Sequence, residues 1–392
     1  MRITKAQFLA ERAARRGVAN PERIQNETWT WLVEEGIGAY AAASAMQAPP
    51  ERDDVAGFSF ERFGQTRTTL PDGRVICIGG EHEDHYDPDF YIYNDVVVLD
   101  AEGRCLAIYG YSIDAFPPTD FHTATLVEDG VTILVVGSLG YADERRPGST
   151  PVYRLRLADF AFERVECVGD APGWIAGHDT RLEGSCLVVS YGCIEDEAGS
   201  RCNVDEFGLD LATWTWSRRT RRAYQEWRIA RVDEQPLCLH DFMAAKFYED
   251  YPDTLEVARS LPETQNFEAL GIELDPRRRL EQAGMCVDYE CFDALFVPPV
   301  AHAEDRTPEG DPGDAAPGRL DRLPPGVSRR IRLTESPGVV VSYVTEFTDV
   351  GLHIEGELSA LDVTGLVEDV RAKLEHLQAS PCHARLRFEQ RP

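Results

Sequence analysis

The 392-residue chain lacks several things whose absence removes whole classes of protein. No stretch approaches the roughly 20 consecutive apolar residues that cross a bilayer as a helix. The opening stretch MRITKAQFLAERAARRG is charged throughout where a secretion signal would be apolar, so a cytoplasmic chain with no membrane partner is expected. No CxxC pair occurs among the ten cysteines, so no thiolate zinc site is evident. Cys77, Cys105 and Cys186 sit inside apolar runs, which suits reduced, buried thiols better than a disulfide framework. GxSxG, the P-loop and a GxGxxG after a strand are all missing. Positive charge is scarce: 40 Lys and Arg stand against 68 Asp and Glu, a net charge of −28 with a pI near 4.7. That balance disfavours nucleic acid as the main partner and favours a basic protein or a cation.

What is present is a chain that is 43% hydrophobic and long enough for two or three folded units. Thr4 and Gln7 form a capping box ahead of Phe8, Leu9, Ala13 and Ala14 at helical spacing. A second helix is predicted from Asn26 through Trp29, Leu32 and Val33 towards Tyr40, ended by Pro49-Pro50. Residues 1–56 therefore read as an N-terminal helical segment.

The centre of the chain repeats. Gln65 precedes TRTTLPDGRVICIGG, His122 precedes TATLVEDGVTILVVGS and His178 precedes DTRLEGSCLVVSYGC, at intervals of 57 and 56 residues by their numbers. Each unit has four short runs rich in Val, Ile, Thr and aromatics with turn residues between them, the pattern of four strands. Repeats of this length belong to stacked or radial architectures, because one unit cannot bury its own faces.

A polar or His residue opening the first strand, a Gly-Gly closing the second and a Trp in the fourth resemble the kelch repeat. Gly79-Gly80 keeps the double glycine. The later units relax it to Gly137-Ser138 and Gly192-Cys193, and Trp214 and Trp216 lie over Phe160 and Phe162. The resemblance implies a mainly β fold with helical additions, a partial or small β-propeller of three clear blades at about 63–114, 115–169 and 170–220. Three blades do not close a ring, since the smallest propellers have about four. A degenerate fourth is sought after residue 226, in WRIARVD and PLCLHDF, within a propeller region of 57–235. Galactose-oxidase-like enzymes share the repeat, but their copper site needs a Cys joined to a Tyr plus two His ligands, and no such set is identified here.

Beyond the repeats, residues 236–300 read as mainly helical, and the Pro-, Gly- and Asp-rich stretch 301–326 as a flexible linker. Residues 327–392 read as a small α+β module: three alternating strands, the amphipathic helix LDVTGLVEDVRAKLEHLQ and a last strand HARLRFE.

In a four-stranded meander the tight first-to-second turns lie on one side and the second-to-third connections on the other. The latter are long (81–89, 139–149 and 194–202), so function is expected on their side. The first of them gathers Glu81, His82, Glu83, Asp84, His85, Asp87 and Asp89, followed by Tyr91. With His122 and His178, which open their blades on the same side, these residues form the expected binding face. No catalytic residue and no cofactor are expected. The open alternative is a divalent metal, for which His82, His85, His122 and His178 are the candidates, although the spacing matches neither an EF-hand nor HExxH. The basic stretch SRRTRRAYQEWRIARVD has the Arg and aromatic mix of single-strand nucleic-acid binders, yet in so acidic a chain its arginines are expected to pair internally. Three readings follow: a non-enzymatic protein-interaction module that neutralises or regulates a basic partner, a metal-dependent enzyme at the propeller mouth, and a scaffold with no site of its own.

Overall fold

The computed structural model describes residues 3–49, 55–82, 90–127, 129–197, 199–237, 302–304, 330–333, 336, 338–346, 348–378 and 380–392. They divide into two units, Met1–Thr220 and Arg221–Pro392. The fold is mainly β, with several antiparallel sheets and four helices among the described residues.

The first unit opens with α1 (Lys5–Glu11), whose Thr4 hydroxyl caps the Gln7 N–H, and a short strand β1 (Glu22–Ile24). Asn26 caps α2 (Glu27–Glu35) at Trp29 N, and Gly36, left-handed at φ 68°, ends it before α3 (Ala39–Ala45). The single long helix predicted here is thus two, because glycine at that position closes the first.

Three antiparallel groups follow. The first holds β2 (Thr66–Thr69), β3 (Val75–Ile78), a small hairpin of β4 (Glu81–His82) and β5 (Tyr91–Ile92), then β6 (Val96–Leu99) and β7 (Cys105–Gly110), in the order β1-β7-β6-β3-β2. The second is β8 (Thr123–Leu126), β9 (Thr132–Val136), β10 (Val152–Arg156) and β11 (Phe162–Arg164), in simple sequential order. The third adds β12 (Val168–Gly169) and β13 (Trp174–Ala176), then β14 (Asp179–Glu183), β15 (Cys186–Ser190), β16 (Cys193–Asp196), β17 (Gly199–Cys202), β18 (Phe207–Asp210) and β19 (Thr215–Arg218). Its main sheet runs β12-β19-β18-β15-β14, and β13-β16-β17 form a separate small sheet.

Alternation along these strands divides their side chains between different cores. Ile76, Ile78, Val96 and Val98 join Ile133, Val135, Tyr111, Phe116 and Phe162 in one core between the first and second sheets. The residues between them, Cys77, Val97 and Leu99, face Phe8, Trp29, Leu32 and Phe58 instead, so the N-terminal helices cover the first sheet's other face. Leu134 and Val136 of β9 point away from Ile133 and Val135, into a core shared with Leu187, Val189, Phe207 and Trp216 of the third sheet. Period-2 strands buried on both faces require this. The third sheet's opposite face is different: Arg181 pairs with Glu183 and Glu206 at 2.9 Å each, and Arg219 with Glu183 at 2.7 Å.

Outer edges are also covered. β1 pairs with β7, β12 runs parallel to β19, and the Asn20 side chain bonds both the N–H and the C=O of Phe162 on β11 (2.8 and 2.7 Å).

The second unit is a six-stranded sheet of β20 (Tyr224–Arg231), β21 (His302–Glu304), β22 (Arg330–Leu333), β23 (Val340–Thr345), β24 (Asp349–Glu355) and β25 (Cys382–Gln390), in the order β21-β22-β23-β24-β20-β25. Helix α4 (Ala360–Gln378) lays Val363, Leu366, Val367, Val370 and Leu374 on Ile229, Val341, Tyr343 and Leu352. The stretch beginning at Trp227 lies in this sheet, where β20 pairs with β24 and β25 along its length. Its alternation was legible, but its partners lie more than 100 residues on. At the start of the expected linker, His302–Glu304 is a strand paired with β22. The rest of the linker, and the helices expected between residues 238 and 300, lie outside the described residues.

In the first unit, one ion pair is wholly internal. Arg62, with its side chain fully buried, bonds Asp95 through both terminal nitrogens (2.6 and 2.9 Å), and also Ser59 O and Gly79 O, and lies 3.4 Å from the Tyr93 ring centroid. Asp95→Ala leaves that guanidinium buried without its carboxylate and should cost about 3–5 kcal/mol in urea unfolding of the full chain. A loss below about 1 kcal/mol, the scale of an exposed pair, would contradict the structural role assigned here.

Candidate functional site

In each sheet the first and second strands end their pairing at the same level, at Thr66 with Ile78, Thr123 with Val136 and Asp179 with Ser190. The next residue is left-handed every time: Gly79 (φ 56°), Gly137 (φ 74°) and Tyr191 (φ 59°). By register the third counterpart of Gly79-Gly80 is therefore Tyr191-Gly192, one residue earlier than the spacing alone placed it. Glycine is needed where the turn meets the next connection. A Cβ on Gly79 would stand 2.3 Å from Thr119 O, and one on Gly137 2.3 Å from Ile175 O and 2.6 Å from His178 Cε1.

Beyond these turns the first strands of the three sheets, β2, β8 and β14, lie side by side. His122 Nε2 meets Thr66 Oγ1 at 2.9 Å, and His178 Nε2 meets Thr123 Oγ1 at 3.0 Å. One step along, Thr68 donates to Ala124 O, and the Thr125 and Thr180 hydroxyls share a bond of 2.7 Å. Each histidine thus fastens its own strand to the preceding sheet. Neither lines an open mouth: His122 is 4% exposed and His178 3%, and burial holds both near pKa 3. His82, 2% exposed, meets the Tyr93 hydroxyl through Nδ1 at 2.7 Å, and burial together with the Arg62 charge lowers it to about 4. Three of the expected face residues are therefore core residues.

Glu81 at the start of the first long connection and Tyr91 just after its end are half-buried, and Tyr91 packs under the Arg16 guanidinium at 4.9 Å. Glu83, Asp84, His85, Asp87 and Asp89 lie outside the described residues.

The centre of the long-loop side is a set that spacing did not reveal. Asp120, fully buried, accepts from Gly140 N at 2.6 Å, and its backbone carbonyl accepts from Leu139 N. The Glu81 carboxyl is close enough to that of Asp120 to influence its ionisation. Burial pushes Asp120 upward, while Glu81, the Gly140 N–H and the charge of Arg145 oppose the shift. Arg145 turns back on Gly140 O and pairs with Glu195 of β16 at 3.1 Å. Glu81, Arg145 and Glu195 stand on the first, second and third long connections, so the three loops are tied through charged groups. Asp120 has no polar counterpart in the repeat, where Phe63 and Ala176 take its place, and alignment of the units could not single it out.

Among the described residues no group of three or more His, Cys, Asp or Glu side chains is placed to hold a metal ion. No described helix is long and apolar enough to cross a membrane. The basic stretch is engaged internally: Arg218 with Asp205 and Arg219 with Glu183 in the first unit, Arg228 with Asp349 and Arg231 with Asp233 in the second.

No protein-family model matches the chain, and no curated protein matches it. A solved structure titled "Structure of YjhT" is similar over 40% of this chain and 50% of that one, at 14% identity and a TM-score of 0.29. The chain thus spans about half that structure's length, and a similarity of this size carries no argument.

Two outcomes follow from the buried turns and histidines. Gly137→Ala, which sets a Cβ against a carbonyl at positive φ, should destabilise the first unit by more than about 2 kcal/mol; an unchanged urea midpoint would refute the close approach. Acid should act through His82, His122 and His178. Their folded pKa values lie below the ordinary 6.5, so the unfolded chain binds the extra protons. Their contribution is complete above pH 6.5 and is lost as pH falls towards 3–4, at roughly 1.4 kcal/mol per pH unit for each histidine, with Asp120 acting in the opposite sense. Urea midpoints across pH 7.5 to 5 read this directly: His122→Gln with His178→Gln, the residue type found at position 65, should flatten the slope, and a wild-type midpoint independent of pH would overturn it.

Proposed function

We propose that the three sheets of the first unit are blades of a kelch-like β-propeller fold, and that the chain is a non-enzymatic binding module of the cytoplasm. Its long-loop side receives a basic protein, which it neutralises or regulates. Sequential four-stranded groups, innermost strands bonded side by side and left-handed turns after each second strand support the blade reading. One observation carries the functional reading: three long connections are joined by Glu81, Asp120, Arg145 and Glu195. Loops held in this way form a pre-organised face, and pre-organisation lowers the ordering cost of binding. Around them Asp143, Glu144 and Glu197 remain at the surface, in a chain whose net charge is −28. Such a field steers basic partners and weakens with salt.

The test is retention of proteins from cytoplasmic extract on the immobilised full chain. A basic protein should be held at low salt, released at high salt, and lost when Asp143, Glu144 and Glu197 are changed to lysine. Retention indifferent both to salt and to that reversal would refute the assignment.

A further inference from the structure

The third long connection carries a feature that the binding reading does not use. In the hairpin β16–β17, Cys193 stands directly opposite Cys202, with Ile194 opposite Arg201 and Glu195 opposite Ser200. One step outward, Asn203 N donates to Gly192 O at 2.9 Å, which makes Gly192 and Asn203 a hydrogen-bonded pair. Antiparallel pairs alternate, so Cys193 and Cys202 form a non-hydrogen-bonded pair, whose Cα atoms stand about 4.5 Å apart with both side chains on one face. A disulfide spans Cα separations of about 4.4–6.8 Å, so the bond needs no movement of the ladder. Both residues are cysteine thiols in the structure and both are partly exposed, within reach of a small oxidant. The other strand cysteines face Arg67 and Val97 (Cys77), Leu99 (Cys105), Glu183 and Asp210 (Cys186) and Arg231 (Cys382).

We propose that Cys193 and Cys202 are a redox modification site that forms a reversible cross-strand disulfide. With hydrogen peroxide as oxidant, one thiol, having lost its proton, attacks an oxygen as the O–O bond breaks; the sulfenic acid forms and the departing hydroxide takes up that proton as water. The second thiol then displaces the sulfenic oxygen as a second water, and the S–S bond forms. Two electrons and two protons from a dithiol reductant restore the pair. In a reducing cytosol such a bond is transient, which is the use that cytosolic disulfides most often have. Glu195 lies two residues from Cys193 on the same face of the hairpin and holds Arg145, so the bond would form at the base of the hairpin that joins the three loops. The disulfide itself does not depend on what the long-loop side binds.

The full chain, treated with stoichiometric hydrogen peroxide at neutral pH, should lose two hydrogens per molecule. Trypsin cleaves after Arg201, so the two cysteines should appear on separate peptides joined by a reducible bond. Dithiothreitol should restore both thiols, Cys193→Ser or Cys202→Ser should each abolish the linked species, and Cys167→Ser should leave it intact. Linkage to any other cysteine, oxygen added to single thiols without a link, or both thiols remaining open to alkylation would each overturn the proposal. The map is read on the wild-type chain, with fragment ions that distinguish Cys193 from Cys186 on the same tryptic peptide, so it decides the matter even where a variant folds poorly.

Discussion

Strands buried on both faces are the constraint on which the first unit depends. Ile133 and Leu134 are neighbours in sequence but belong to different cores, and the same division runs through Ile76 and Cys77 and through Val96 and Val97. A sheet of this kind has no solvent face to offer and must be covered twice. The first sheet is covered by helices α1 to α3 and the second by its two neighbours. The third escapes the requirement by changing chemistry: its far face exchanges apolar side chains for Arg181, Glu183, Glu206 and Arg219 in mutual pairs. The N-terminal helices are therefore not an appendage. Trp29, stacked on Phe58 at 4.1 Å, joins Phe8, Leu32 and Val33 in the cluster that covers the face holding Val97 and Leu99.

Much of this was legible before any coordinates. The 57- and 56-residue spacing located three groups of strands, the tight turns assigned their ends, and Asn26 and Thr4 marked the starts of helices. What escaped detection has physical reasons. The pairing of Tyr224–Arg231 with strands beyond residue 340 leaves no local trace, because an alternating strand does not name its partner. Tyr191 takes the left-handed position that glycine holds in the other units, and a side chain there hides the motif from any search for paired glycines. The candidate site suffered most. The repeat places His122 and His178 on the expected binding face, with a metal as the alternative, yet both are buried and bond threonines of the neighbouring sheet through Nε2. Asp120 and Arg145 leave no periodic signal, because neither repeats.

Charged groups contribute to the order of the long-loop side. Asp120 is buried, and a buried carboxyl needs partners; it draws on a backbone N–H, a second carboxyl and the field of an arginine. The second carboxyl, Glu81, comes from the first long connection, and the Gly140 N–H and Arg145 both come from the second. Burying one acid thus ties the first two loops together, beside the Phe90–Tyr141 ring contact and the bond from Ile92 N to the Tyr141 hydroxyl.

Strand edges complete the picture. The outermost strands β7, β11 and β19 would each present an unpaired row of amides, the template from which β proteins assemble into fibrils and swapped dimers. β1 covers the first, the Asn20 carboxamide imitates a strand residue against Phe162 on the second, and β12 runs beside the third. The segment between the first two helices therefore acts as a safeguard against aggregation: trimming it would expose two edges at once, and self-association would be the first symptom.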